Sequence, residues 1–423
     1  MDTPELRQRR PDSSFDELPS KNEKLKPIKE SEPRLKHGIP MQIVRSLILS
    51  TWFNCCCVII VTTQLIGAPL YFINKRYYYS YMAHTKESFG IVIGVLTQWG
   101  CPTLVRISGD ESVRGQIHLA KGGYLQTTFS ERLVLTANHQ VYTDWIYLWW
   151  IAYTNKMHGY LYIILKESLK YIPIIGQGMM FYGFIFMARK WLSDKPRLQH
   201  RLEKLKLQNS GSKSDSPQFD PMWLMIFPEG TNLSLNTKKR SAEYCRKQGI
   251  EPLKHELLPR STGLFFCLQQ LKGTVEWVYD CTVAYEGPPK GSLPDKYFTL
   301  RSTYLQGRPP TSVNMHWRRF AVADIPLDDQ KEFDAWLRAR WVEKDQLLEE
   351  CFETGRFPSS LAGSIDTDDV SVKQKAAASD GYVEAHVRVA HWSEFGRVFM
   401  VLAAVTVLCR LVLTVYGLWR STS

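Results

Sequence analysis

Two nearly uncharged runs, one near each end of the chain, constrain the fold more than any other feature. Ser46 to Ile66 (SLILSTWFNCCCVIIVTTQLI) contains no charged residue. At helical rise it is long enough to cross a hydrocarbon core of about 30 Å. Val398 to Trp419 (VFMVLAAVTVLCRLVLTVYGLW) is apolar except for Arg410 and is flanked by Arg397 and Arg420. Both read as membrane helices, with Arg410 snorkelling toward the tail end. A shorter Gly-rich run, Ser88 to Trp99 (SFGIVIGVLTQW), follows the interfacial-looking Tyr71, Lys75, Arg76, Tyr77, Tyr78 and Tyr79. It predicts a re-entrant or partly inserted helix that returns the chain to the side it came from.

Around these anchors the organisation is that of one medium catalytic domain with attachments, since 423 residues show no internal repeat. Residues 1–45 are rich in Pro, Glu and Lys and too poor in apolar residues to offset chain entropy, so they read as a disordered tail. The tail opens with Asp2, Glu5, Arg7, Arg9 and Arg10, too polar for a cleaved signal. Its later basic residues, Lys24 to Arg45, either rest on an anionic leaflet or are simply solvated. Residues 46–106 form the membrane-anchoring helices, 107–326 the catalytic domain, 327–354 a helix, 355–396 a linker and 397–420 the last membrane helix. A formal charge of +11 with many aromatics suits nucleic acid or anionic lipid. The apolar runs favour membrane lipids and no nucleic acid. Nine cysteines, three of them consecutive (Cys55, Cys56, Cys57), form no C-x-x-C pair, which predicts free thiols and no metal site.

Between residues 107 and 326 short apolar runs alternate with helical patterns. Leu133 to Ala137, Phe184 to Ala188, Trp223 to Phe227 and Val275 to Ala284 read as strands, several apolar on both faces and so internal to a covered sheet. Asp144 to Asn155, Pro196 to Leu207 and Leu235 to Gln248 read as helices, the second capped by Ser193 or Asp194. Leu161 to Met180, with Lys166 and Lys170, reads as a helix that lies in the membrane interface, or as a buried core helix. Asn209 to Gln218 is a polar loop. The fold class is α/β: a mixed sheet flanked by helices, with an N-terminal membrane helix or re-entrant segment and a C-terminal transmembrane helix.

Two segments could carry chemistry. Asn138-His139-Gln140-Val141-Tyr142-Thr143-Asp144-Trp145 follows the strand Leu133 to Ala137 directly. A spacing of five turns about 140° on a helix, so His139 and Asp144 meet only if His139 precedes the helix. The carboxylate then fixes one ring nitrogen and leaves the other to take a proton. Phe227-Pro228-Glu229-Gly230-Thr231-Asn232 also follows a strand, with Pro228 ending it and Gly230 free to adopt unusual angles. His118, His158, His255, His316 and His391 have no partners at metal or triad spacing and read as non-catalytic.

Together these segments resemble the glycerolipid acyltransferase family, with its NHxxxxD motif and its FPEG motif followed by Ser or Thr. The resemblance extends to a second motif at Gly183-Phe184-Ile185-Phe186-Met187-Ala188-Arg189-Lys190-Trp191 and a fourth at Leu258-Pro259-Arg260-Ser261-Thr262-Gly263. It covers roughly Arg132 to Glu286. The strings NHQVYTDW, ARKW and FPEGTN are similar to those of the lysocardiolipin and lysophosphatidylinositol acyltransferase subgroup, as are Lys166 to Gly176 and Asp280 to Tyr285.

The resemblance implies a lysophospholipid acceptor, acyl-CoA as co-substrate, and no cofactor or metal. It implies His139 as general base oriented by Asp144, with Asn138, Arg189, Glu229, Gly230, Thr231 and Pro259 binding substrate. Lysophosphatidate-type members commonly carry Arg where Asn232 stands. A phosphodiester, with one charge, needs that guanidinium less than a phosphate monoester does. The family further implies an integral protein of the endoplasmic reticulum with its site facing the cytosol. A lysophosphatidate acyltransferase, a CoA-independent transacylase and a non-catalytic membrane tether are the competing readings.

Overall fold

A computed structural model describes residues 36–120, 122–206, 219–289, 291–361 and 381–422. Strands β1 (Leu104–Gly109), β2 (Ile117–Ala120), β3 (Tyr124–Thr127), β4 (Arg132–Ala137), β5 (Leu161–Lys166), β6 (Ile185–Met187), β7 (Met222–Ile226), β8 (Trp277–Glu286), β9 (Ser312–Ala321) and β10 (Val383–His386) account for the β structure. Eight of them form one sheet in the order β10-β1-β9-β8-β4-β7-β5-β6, while β2 and β3 make a separate hairpin. The run β8-β4-β7-β5-β6 is parallel, β9 is antiparallel to β8, and β10 is antiparallel to β1. The mixed sheet flanked by helices is therefore as expected.

The central strands are buried on both faces. Leu133, Val134 and Leu135 of β4 and Trp223, Leu224 and Met225 of β7 are all fully buried. Continuous apolar runs are what a doubly covered parallel sheet requires. β4 and β7 pair in register through Thr136 and Ile226, so the loops that leave their C-terminal ends lie side by side. Those loops begin at Asn138 and Phe227, the two segments singled out above.

Among the described residues two helices are long and apolar enough to cross a membrane, Ile39–Ile73 and Trp392–Ser421. Both pack on the helix Lys75–Gly100. Arg45 of the first helix donates to the carbonyls of Gly100 and Tyr304, and Trp392 of the last stacks on Trp99 at 5.0 Å. Arg410 is exposed on the last helix.

Several expectations are corrected. Ser88 to Trp99 is the C-terminal half of the single helix Lys75–Gly100, buried within the protein from Ser88 to Val95, and is no separate re-entrant element. Its glycines serve close packing: a Cβ on Gly90 would lie 2.7 Å from Nε1 of Trp149. Leu161 to Met180 is not one helix but β5, a 3-10 turn at Glu167–Tyr171 and a short helix at Ile175–Phe181. The β-branched pair Ile163-Ile164 suits the sheet, and Pro173 cannot continue a helix.

The helix placed at Pro196–Leu207 spans Trp191–Leu205, with Pro196 inside it. The expected linker at 355–396 contributes β10 to the sheet edge and buries Phe357, Leu361, Val387 and Val389. Residues 39–45, assigned to the tail, begin the first helix. Residues 1–35 and the loop at 209–218 lie outside the described residues.

Candidate active site

The helix Asp144–Thr154 starts at Asp144 itself, which leaves His139 in the preceding loop. This geometry lets the pair meet: Nδ1 of His139 lies 2.8 Å from Oδ2 of Asp144. The Val141 backbone N–H donates to the same oxygen at 3.0 Å, and the Tyr285 hydroxyl donates to Oδ1 at 2.5 Å. Asp144 is fully buried, so each carboxylate oxygen has a committed donor. The His139 ring stacks on Phe227 with centroids 4.3 Å apart, and its side chain remains 19% exposed. Nε2 is thus the ring nitrogen left to meet a reactant.

The two motif loops are zipped together. The His139 N–H donates to Oε1 of Glu229 at 3.0 Å, and the Leu233 N–H donates to the His139 carbonyl at 2.7 Å. Gly230 turns the second loop with φ 73°, in the region that favours glycine. The fourth segment crosses this turn, the Arg260 N–H donating to the Pro228 carbonyl at 2.8 Å. Arg189 also has a positive φ, 65°. Asp194 secures it from both sides by accepting from the Ala188 and Lys190 N–H groups, each at 2.9 Å. The Arg189 guanidinium then reaches the Gly230 carbonyl at 2.8 Å.

Arg189, Glu229, Thr231 and Pro259 line one cavity of about 770 Å³. Arg240, Arg260 and Arg338 line it as well, so four arginines face two carboxylates, Glu229 and Asp334. Such a wall suits phosphate groups, which a planar guanidinium binds in bidentate fashion. His139 and Asp144 do not line the cavity. They adjoin it through Glu229, which lines the cavity and whose buried carboxylate holds the His139 loop.

Asn138 stands apart from the other expected substrate contacts. It is fully buried, its amide donates to the Val283 carbonyl at 3.0 Å, and its side-chain oxygen accepts from the Val283 N–H at 2.7 Å. Both polar ends are used in tying the His139 loop to β8.

Burial pushes the Glu229 carboxyl up to about 7, against the His139 N–H and charge and the Leu257 N–H, while Asp144 adds to the rise. Glu256, also buried, is raised well above the usual carboxylate range by burial and by Glu229, Asp345 and Asp280, with Lys344 opposing. Burial raises Asp280 too, but Lys344 at 2.9 Å and Arg318 at 2.9 Å outweigh it and hold that carboxyl low. Asp280 in turn accepts from Thr136 at 2.8 Å, a buried charge network that braces β4 against β8.

Sequence reasoning missed Tyr285, Arg240, Arg260 and Arg338 as site residues. Tyr285 lay inside a matched string and Arg260 beside Pro259, which was signal enough to nominate both. Arg240 and Arg338 come from the helices Leu235–Gln248 and Gln330–Thr354, where no local pattern marks them. His255 does find a partner, Glu349, and His316 pairs with Ser108 at 3.0 Å.

Comparison with known proteins agrees with this architecture. The family described as Acyltransferase matches residues 105–286, and that described as Acyltransferase C-terminus matches 303–378. The chain is 39% identical over 297 residues to an uncharacterized acyltransferase of Schizosaccharomyces pombe, covering 70% of this chain and 82% of that one. It is 38% identical over 352 residues to the 2-acyl-1-lysophosphatidylinositol acyltransferase of Saccharomyces cerevisiae, covering 77% and 88%. With lysocardiolipin acyltransferase 1 of Gallus gallus it shares 32% identity over 242 residues, 56% of this chain and 58% of that one. A sheet that brings His139, Glu229 and Arg189 to adjoining loops, with Asp144 opening the helix that follows His139, and relatives matched over most of their length, make this chain an enzyme of the acyltransferase family.

Proposed function

We propose that the chain is an acyl-CoA-dependent lysophospholipid O-acyltransferase that re-acylates a phosphodiester lysolipid of the lysophosphatidylinositol or lysocardiolipin type. The observation that carries the reading is the His139 Nδ1 to Asp144 Oδ2 contact of 2.8 Å beside an arginine-lined cavity. Nε2 of His139 removes the proton of the glycerol hydroxyl as its oxygen attacks the thioester carbonyl. A carbon–oxygen bond forms, the carbon–sulfur bond breaks, and the proton passes from the imidazolium to the departing thiolate. Asp144, held by Tyr285 and Val141, fixes the tautomer and stabilises the imidazolium.

Arg189 grips the acceptor phosphate, and Glu229, Gly230, Thr231 and Pro259 shape the pocket that receives it. Asn138 acts by positioning the loop. The reaction needs no metal or organic cofactor and no acyl-enzyme.

The phosphodiester preference is supported by Asn232 and by relatives named for lysophosphatidylinositol and lysocardiolipin. A probable 1-acyl-sn-glycerol-3-phosphate acyltransferase of Arabidopsis thaliana, 32% identical over 229 residues, keeps the lysophosphatidate reading in contention. The two apolar helices support an integral membrane protein, which we place in the endoplasmic reticulum with its site facing the cytosol, where acyl-CoA is supplied. The test is a panel of lysolipids with acyl-CoAs of several lengths, given to membranes carrying this chain and assayed for free CoA. Release with lysophosphatidylinositol or lysocardiolipin is the expected result. Release with lysophosphatidate alone overturns the headgroup assignment.

A further inference from the structure

A second pocket, of about 150 Å³, lies at the other end of the sheet. Arg132, Tyr162 and Met222, which line it, stand at the N-terminal ends of β4, β5 and β7, whereas His139 and Glu229 follow the C-terminal ends of β4 and β7. Six residues of β4 at strand rise put about 20 Å between the two. The pocket is therefore separate from the arginine-lined cavity.

Its chemistry is that of an anion site under an aromatic collar. Lys86 is 2% exposed, its ammonium sits 3.8 Å from the Tyr162 ring centroid, and it makes no hydrogen bond or ion pair among the described residues. Burial pushes the Lys86 amine down to about 7, so an anion entering the pocket is what holds it as the charged ammonium. Arg132 is occupied by the carbonyls of Thr274, Leu205 and Asp220 and frames the pocket. Arg201 and Lys204, three apart on one face of the helix Trp191–Leu205, add two cations, and Asp220 is the single carboxylate among the described residues of the lining. Tyr71, Tyr78 and Tyr79 close the rim.

The neighbourhood identifies the source of the anion. Tyr71 lies in the apolar span that ends at Ile73, and the adjoining Phe72 and Ile73 are 89% and 77% exposed. Tyrosines beside exposed apolar side chains at the end of a candidate membrane helix sit at headgroup depth. We propose that this pocket binds the headgroup phosphate of an anionic phospholipid of the bilayer, with Lys86, Arg201 and Lys204 as its cations. The acyl chains of that lipid lie along the Phe72–Ile73 tip, outside the pocket.

The full chain, purified in an uncharged detergent, is offered dioleoyl phosphatidylglycerol or dioleoyl phosphatidylcholine, and retained lipid is counted by native mass spectrometry. Phosphatidylglycerol is retained preferentially, and both Lys86→Met and the partly exposed pair Arg201→Gln with Lys204→Gln weaken it at least tenfold. Arg114→Gln, at an exposed arginine outside both pockets, leaves retention unchanged. Undiminished retention in the Arg201→Gln, Lys204→Gln chain overturns the proposal, and so does a loss confined to Arg260→Gln in the arginine-lined cavity. Displacement of phosphatidylglycerol by an equal concentration of glycerol 3-phosphate would show a free-phosphate site and also overturn it.

Discussion

The Tyr285 hydroxyl donates to Oδ1 of Asp144 at 2.5 Å, the carboxylate oxygen that His139 and the Val141 N–H leave free. A strand far along the chain thus completes the hydrogen bonding of the residue that orients the base. Hydrogen bonds to charged groups contribute about 1.5–3 kcal/mol. Tyr285→Phe should therefore lower kcat by roughly tenfold or more while leaving the KM for both substrates within about twofold. Steady-state kinetics in membranes separates this from a binding defect, which would raise KM at unchanged kcat.

Asn138 is buried with both polar ends bonded to Val283, so its replacement should act first on stability. Asn138→Ala is expected to lose about 2–4 kcal/mol, two partnered backbone groups being left buried and unsatisfied. Thermal unfolding of the purified variant measures this. A normal Tm with a raised KM for lysolipid would instead mark Asn138 as a substrate contact.

Arg189 combines a functional side chain with a left-handed backbone. Arg189→Ala should raise the KM for lysolipid and spare that for acyl-CoA. Arg189→Gly should share the kinetic defect yet be more stable than the alanine variant by about 1 kcal/mol, because glycine adopts positive φ without the Cβ penalty. A selective acyl-CoA defect in either variant contradicts the phosphate role.

Glu229 gives the chain a pH-dependent stability of definite sign. Its carboxyl, ordinarily at 4.5, rises to about 7 on folding because it is buried. Between those values the folded chain holds a proton that the unfolded chain has lost. The group's contribution is therefore present below the unfolded pKa and declines as pH rises through about 7. Glu229→Gln cannot ionise, so the fall in stability between pH 5 and pH 8 should be smaller in the variant by about 3 kcal/mol. Denaturant titrations at the two pH values provide the comparison, and an identical pH slope in both chains would refute the assignment.

What could be read from the residues was the part of the fold written locally. β4 and β7 announced themselves as apolar runs because both of their faces are covered. The helix Leu235–Gln248 was legible because Ser234 caps it with Thr237 and Gly249 ends it in a left-handed conformation. The His139 to Asp144 spacing required a loop-to-helix junction, and that is where the pair lies. β10 was missed because four residues at a sheet edge carry little pattern, and only pairing with β1 makes them a strand. β5 was taken for helix because Leu161 to Met180 mixes apolar and polar residues at spacings that either structure accepts. Arg240, Arg338 and Lys86 could not be nominated, since their significance comes from tertiary placement beside loops or strands remote in sequence.

The central claim is that His139 is the base for acyl transfer, and the most direct measurement is CoA release by membranes carrying wild-type or His139→Ala chain. With lysophosphatidylinositol and acyl-CoA present, the wild-type chain should release CoA only when the lysolipid is added, and the variant should lose about 10² to 10⁴ in rate. Undiminished lysolipid-dependent release by His139→Ala would contradict the account.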